Sequence, residues 1–198
     1  PGLASAGFFC VLSGLGCSGP ATIPDSDYGR QLEFINTTDT LSNTYAESIS
    51  NAFNSGQNDV SYPDTDLADQ LKTVARLIGG DLGSKVYMVR ISGFDTHNLQ
   101  VQGVGDVLGK HHTLLDELSG ALDAFMNDID SQNIADDVVG ITFSEFGRKA
   151  RENGNFGTDH GEIAPMFVFG KPVAGGVSGI NQNLSEATDS NQSLITIS

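Results

Sequence analysis

At 198 residues the chain is long enough to bury one sizeable core, and its length argues against two domains. Ten basic residues against 25 acidic ones give a formal net charge of −15, a field that repels phosphate backbones and excludes nucleic-acid binding by counterion release. No stretch reaches the roughly 18 consecutive apolar residues a membrane-spanning helix needs.

Residues 1–30 are punctuated by Gly, Ser and Pro and read as a loop-rich opening. Leu3 to Leu15 is apolar but has no basic segment before it, so it is a poor signal peptide. Cys10 and Cys17, the two cysteines, either close a small disulfide loop in an oxidising compartment or stay free thiols. The abrupt start at Pro1 and the polar end suggest an internal piece of a longer protein. From Asp25 to Asp69 acidic residues face one base, Arg30. That run reads as a solvated acidic face, with a calcium-binding loop as the alternative.

Leu41, Tyr45, Ile49 and Phe53 recur every four residues and predict a helix from about Asp39 to Phe53. Leu67, Leu71, Val74, Ala75 and Ile78 form a second helical stripe, started by Pro63-Asp64 and stopped by Gly79-Gly80. Val86 to Ile91 reads as a strand. Leu108, His111, Leu115, Leu118, Leu122, Phe125 and Ile129 keep the helical period to Ser131, with His111 on the packed face. Strands are expected again at Val138 to Phe143 and at Pro165 to Phe169. Helix–strand–helix–strand order with short apolar runs predicts an α/β domain, a mostly parallel sheet flanked by helices with right-handed crossovers. Residues 182–198 are polar and loop-rich, and the whole of 1–198 reads as one domain.

Three polar clusters follow apolar runs: Gly93-Phe94-Asp95-Thr96-His97, Ser144-Glu145-Phe146-Gly147-Arg148 and Gly157-Thr158-Asp159-His160-Gly161. The last two fall in a loop between Phe143 and Pro165 that is nearly free of apolar residues, and loops of that length inside a domain are usually functional. In extended chain Asp95 and His97 point to one side, where a carboxylate and an imidazole ligate one cation or bond each other. The bland alternative is a capping Asp beside an ordinary loop His. Glu145 is a candidate ligand or general base. Arg148 either holds an anion in its planar fork or ties the loop by pairing with Glu145. Glycines around Asp159 and His160 allow close backbone approach. Ser144 lacks the glycine-flanked elbow of a nucleophile.

Those clusters, with Tyr62-Pro63-Asp64-Thr65-Asp66-Leu67-Ala68 before them and Gly170 to Gly176 after, resemble the DUF1501 family of secreted bacterial proteins from about Tyr62 to Gly179. That resemblance implies an incomplete alkaline-phosphatase-like domain of the sulfatase superfamily and a metal-dependent hydrolase of phosphate or sulfate esters. It implies metal ligands at Asp95, His97, Glu145 and His160, with Glu145 and Arg148 catalytic and Arg148 and Asp159 at the substrate. The superfamily's Asp-His pair is here Glu145-Phe146, one imidazole fewer, so the implied metal is a single zinc, manganese or calcium ion. The family's nucleophile segment has no counterpart before Gly93, and belongs in a part preceding this chain. The resemblance also implies an extracytoplasmic location. Three functions compete: hydrolysis of an anionic ester, a non-catalytic scaffold binding a cell-envelope protein, and a cation-binding surface protein.

Overall fold

The architecture is that of a computed structural model, which describes residues 23–162 and 164–179. Its best-built element is helix α2, Asp66–Gly79, because every local signal there agrees. Thr65 caps it through its hydroxyl, which accepts from Ala68 N at 3.3 Å, and Asp66 and Asp69 place negative charge on the positive end of the helix dipole. Gly80 ends it, its N–H donating to Arg76 O. Leu67, Ala68, Leu71 and Ala75 form a buried stripe on one face.

That stripe packs on α3, Lys110–Ser131, which offers Ala121, Phe125 and Ile129. A short 3₁₀ turn, Ala135–Asp137, closes the end of this core with Ala135. Small residues on both helices let the backbones approach, and the large side chains fill the seam between them. Helix α1, Asp27–Ser55, is longer than its apolar spacing predicts, beginning at a Ser26 cap. Only its last turns dock: Ala52 is buried, and Arg76 Nε donates to Phe53 O at 2.6 Å while its guanidinium lies over the Phe53 ring. Leu41 and Tyr45 of its apolar stripe stay exposed.

The segment between α1 and α2 is held from inside. Asp128 of α3 is fully buried, and its carboxylate accepts four bonds. Oδ2 takes Asn58 Nδ2 and Tyr62 OH, both at 2.8 Å; Oδ1 takes Asp59 N at 2.8 Å and Gln132 Nε2 at 3.1 Å. Burial pushes its acidity the wrong way for a charge, but the four donors outweigh it and hold the carboxyl below the ordinary value. Burial beside this carboxylate pushes the Tyr62 phenol up.

The expected parallel sheet does not exist among the described residues. Strands β1, Gly140–Ile141, and β4, Val168–Phe169, pair antiparallel, as do β2, Gly147–Arg148, and β3, His160–Gly161. An alkaline-phosphatase-like α/β sheet is therefore not what this structure supports. The physical reason lies in the connections. Parallel neighbours need a crossover, usually helical, but among the described residues after Phe143 there is no helix. It doubles back through the β2–β3 ladder and returns 167–169 beside 140–142, with Thr142 N donating to Phe167 O at 2.9 Å.

Val86 to Ile91 is extended but joins no ladder. Val89 and Ile91 pack on the helix pair, and Val86 and Met88 face outward. Its backbone is held by the Gln70 amide of α2, which donates to Arg90 O and accepts from Arg90 N, both at 2.9 Å. Among the described residues no helix is long and apolar enough to cross a membrane. Cys10, Cys17 and residues 182–198 lie outside the described residues.

Candidate metal site

Two stretches of irregular chain are laced together to build the site. Thr158 N donates to Thr96 O at 3.2 Å, Leu99 N to Asn155 O at 3.1 Å and Val101 N to Phe156 O at 3.2 Å. The buried Thr96 hydroxyl and the Thr158 hydroxyl both donate to Gln100 Oε1 at 2.8 Å. Gly157 passes so close to the His97 carbonyl that any Cβ there would collide with backbone. Beyond this lacing, the β2–β3 register sets Arg148 opposite His160.

The result is a convergence on one atom, Asp95 Oδ1. His160 Nε2 lies 2.9 Å from it, His97 Nε2 3.0 Å and Arg148 Nη2 2.8 Å. The ligand-capable atoms of Asp95, His97 and His160 all lie within 4.8 Å of one another, and all three residues are exposed. The hydrogen bond from His160 holds the Asp95 carboxyl below the ordinary carboxylate value; the charge of His97 and the Arg148 bond act in the same sense.

Each imidazole is fixed in a different way. Phe146 stacks on the His160 ring, centroids 3.9 Å apart and planes 11° from parallel. His97 is held through its other nitrogen: Nδ1 lies 3.2 Å from Asp159 Oδ1. Asn153 Nδ2 donates to that same oxygen at 3.1 Å and to His97 O at 2.9 Å. The Asn153 bond, then the His97 bond, then Lys149 hold the Asp159 carboxyl low.

Of the residues singled out in the sequence, Asp95, His97 and His160 meet at the ligand point, and Asp159 lies behind His97. Arg148 lies against Asp95, but its fork is filled from within. Nη1 donates to Thr158 O at 2.8 Å, and Nη2 donates to Phe94 O at 2.6 Å as well as to Asp95. Its Nε is buried without a hydrogen-bond partner among the described residues. Glu145 is exposed on the turn before β2, outside the ligand group, and makes no hydrogen bond or ion pair with a described residue. Ser144 spends its hydroxyl on Phe146 O. His111 is half-buried, edge-on to Phe94 at 5.8 Å, as its place on the packed stripe predicts.

Asn153 carries no sequence signal as a site residue, while Gln100 is legible only as a polar residue that could line the site after the first cluster, and Phe146 only as a member of the second. The bonds of Asn153 to His97 O and of Thr158 to Gln100 span more than fifty positions, which only the fold reveals.

The family comparison agrees with the resemblance. A family model described as "Protein of unknown function (DUF1501)" matches residues 45–194. The chain belongs to the DUF1501 family. No curated protein and no solved structure matches it, so the residues of this DUF1501 chain must carry the functional argument themselves.

The donor set fits a divalent transition metal. Two imidazoles and one carboxylate suit zinc or manganese better than calcium, which prefers a full shell of oxygens. Three such side chains on an exposed surface could hold a metal ion and would leave coordination positions open.

Proposed function

We propose that this DUF1501 chain binds one divalent cation, zinc or manganese, through Asp95, His97 and His160, and contributes that ion to metal-dependent hydrolysis of a phosphate or sulfate ester outside the cytoplasm. The observation that carries the reading is the convergence of the three ligand atoms within 4.8 Å on an exposed surface. A cation there supplies Lewis-acid polarisation of an ester oxygen. Asp95 is the anionic ligand, and Arg148 sets its position, since both terminal nitrogens of that guanidinium are engaged with protein oxygens. Glu145, exposed and without a partner among the described residues, is the group free to move a proton at the site's edge. The ester class comes from the family resemblance.

A second reading has its own support. The Arg148 fork, expected to hold an anion, is filled by protein oxygens, which favours a metal-holding but non-catalytic subunit of an envelope complex. Elemental analysis of purified protein, with assays on aryl phosphate and aryl sulfate esters, separates the two. Stoichiometric zinc or manganese with hydrolysis lost in His160→Ala supports the hydrolase. Stoichiometric metal without hydrolysis supports the subunit, and no metal uptake refutes both.

A further inference from the structure

We infer that Asp159, braced by Asn153, is a positioning residue that orients His97 as a ligand, and is neither a metal ligand nor a substrate contact. The inference rests on the reading of Asp95, His97 and His160 as the ligand set. An imidazole has two nitrogens on opposite sides of the ring, and His97 places each against a different carboxylate. Nε2 lies 3.0 Å from Asp95 Oδ1, the atom that also meets His160. Nδ1 lies 3.2 Å from Asp159 Oδ1, on the far side of the ring. Asp159 does not belong to the group of mutually close ligand atoms, although it precedes His160 in sequence. Neighbouring residues of an extended chain point to opposite sides, so His160 reaches the ligand point while Asp159 passes behind.

A histidine ligand needs its second N–H committed, because that bond fixes the tautomer and the ring plane and raises the basicity of the ligating nitrogen. With Nδ1–H donated to Asp159, Nε2 is the nitrogen left to ligate. The brace is double. One Asn153 amide donates to the carboxylate that holds the ring at 3.1 Å and to the carbonyl of His97 itself at 2.9 Å. The amide oxygen of Asn153 accepts from Asn155 N at 3.1 Å, which settles which way the group faces. Lys149 Nζ, 3.6 Å from Asp159 Oδ2, holds the other oxygen. His160 has no such carboxylate partner among the described residues, and the stacked Phe146 ring fixes its plane instead.

The test uses the full chain, with cobalt(II) as the probe read by its visible absorption, and nitrogen-15 NMR of the His97 ring in metal-free protein. Asp159→Ala is expected to weaken cobalt(II) binding about 10- to 100-fold with unchanged stoichiometry. Asp159→Asn keeps an acceptor oxygen without the charge and should lose less. The His97 Nδ1–H signal should be present in wild type and in Asp159→Asn and be lost in Asp159→Ala. Asp159→Asn also keeps the test open if the alanine variant folds poorly.

Unchanged affinity in both Asp159 variants overturns the inference and leaves the metal site standing. A loss as deep as that of Asp95→Ala overturns it too, because Asp159 would then be a ligand. No cobalt(II) uptake by wild type overturns the metal reading and this inference with it.

Discussion

Replacing Asp128 by Asn tests whether the buried carboxylate is what holds the α1–α2 connection onto α3. The carboxylate has two oxygens with two donors each. An amide has one oxygen, so two donors lose their acceptor whichever way it turns. The backbone N–H of Asp59 cannot rotate, so the oxygen should stay with it and with Gln132. The new NH₂ then faces Asn58 and the Tyr62 hydroxyl. Tyr62 can turn to accept, whereas Asn58 is held by a second bond from Nδ2 to Lys72 O at 2.9 Å. Bonds to a charged acceptor contribute about 1.5–3 kcal/mol each. Losing two, recovering about 1 kcal/mol through Tyr62 and relieving the burial of a charge leaves a net destabilisation of about 2–4 kcal/mol. Urea unfolding followed by far-ultraviolet circular dichroism measures it as a lower midpoint at constant slope. A shift below about 0.5 kcal/mol, the size of an ordinary surface substitution, would refute the reasoning.

Two further predictions follow from the same structure. Because the folded-state Asp128 carboxyl sits below its ordinary value of 3.8, its contribution is complete above that value and is lost as pH falls below it through the lowered folded-state value; wild type should lose urea stability over that acid range more steeply than Asp128→Asn does. Gly157→Ala drives a Cβ into the His97 backbone and should destabilise by about 1–3 kcal/mol and weaken cobalt(II) binding at least tenfold, since it pushes apart the two laced segments; a variant with wild-type stability and affinity would show that the lacing does not set the ligands.

The helices were legible because burial and helical period coincide in them. The Leu67 to Ile78 stripe names its own start and stop, and the Leu118 to Ile129 stripe faces it across the core. The first helix was legible from Leu41 onward only, since its earlier turns expose Tyr28 and Phe34 and carry no packed face for periodicity to report. Strand direction was not legible. An apolar run says that a segment is extended and half-buried, and nothing about the neighbour it pairs with. The segment from Phe143 to Pro165 has no helical pattern to serve as a crossover, which favours an antiparallel return. Asp128 was invisible for another reason. An acid beside Phe125 and Ile129 breaks no helical period, and its four donors, three of them nearly seventy positions away, cannot be read from spacing.

The grouping of Asp95, His97 and His160 does not depend on a sheet, whereas Glu145, expected among the ligands, lies outside it. Asp95 and His97 face one point across a tight turn rather than along extended chain: Thr96 N donates to Phe94 O at 2.9 Å, which turns the backbone at Asp95. His160 reaches the same point through the two-residue β2–β3 ladder, whose register opposes it to Arg148. Arg148 in turn bonds Phe94 O and Asp95, closing the ring of contacts without any residue of Val86 to Ile91 or of β1. What the sequence could not separate was ligand from support. Asp159 and His160 are adjacent, equally polar and both flanked by glycine, and only the side of the extended chain each occupies divides them. The same holds for Arg148, whose fork has the right chemistry for an anion but is filled by two carbonyls and a carboxylate of its own chain. Residue type therefore located the polar cluster, and the lacing between 96–101 and 155–158 decides which of its side chains converge on Asp95 Oδ1 and which stand behind them.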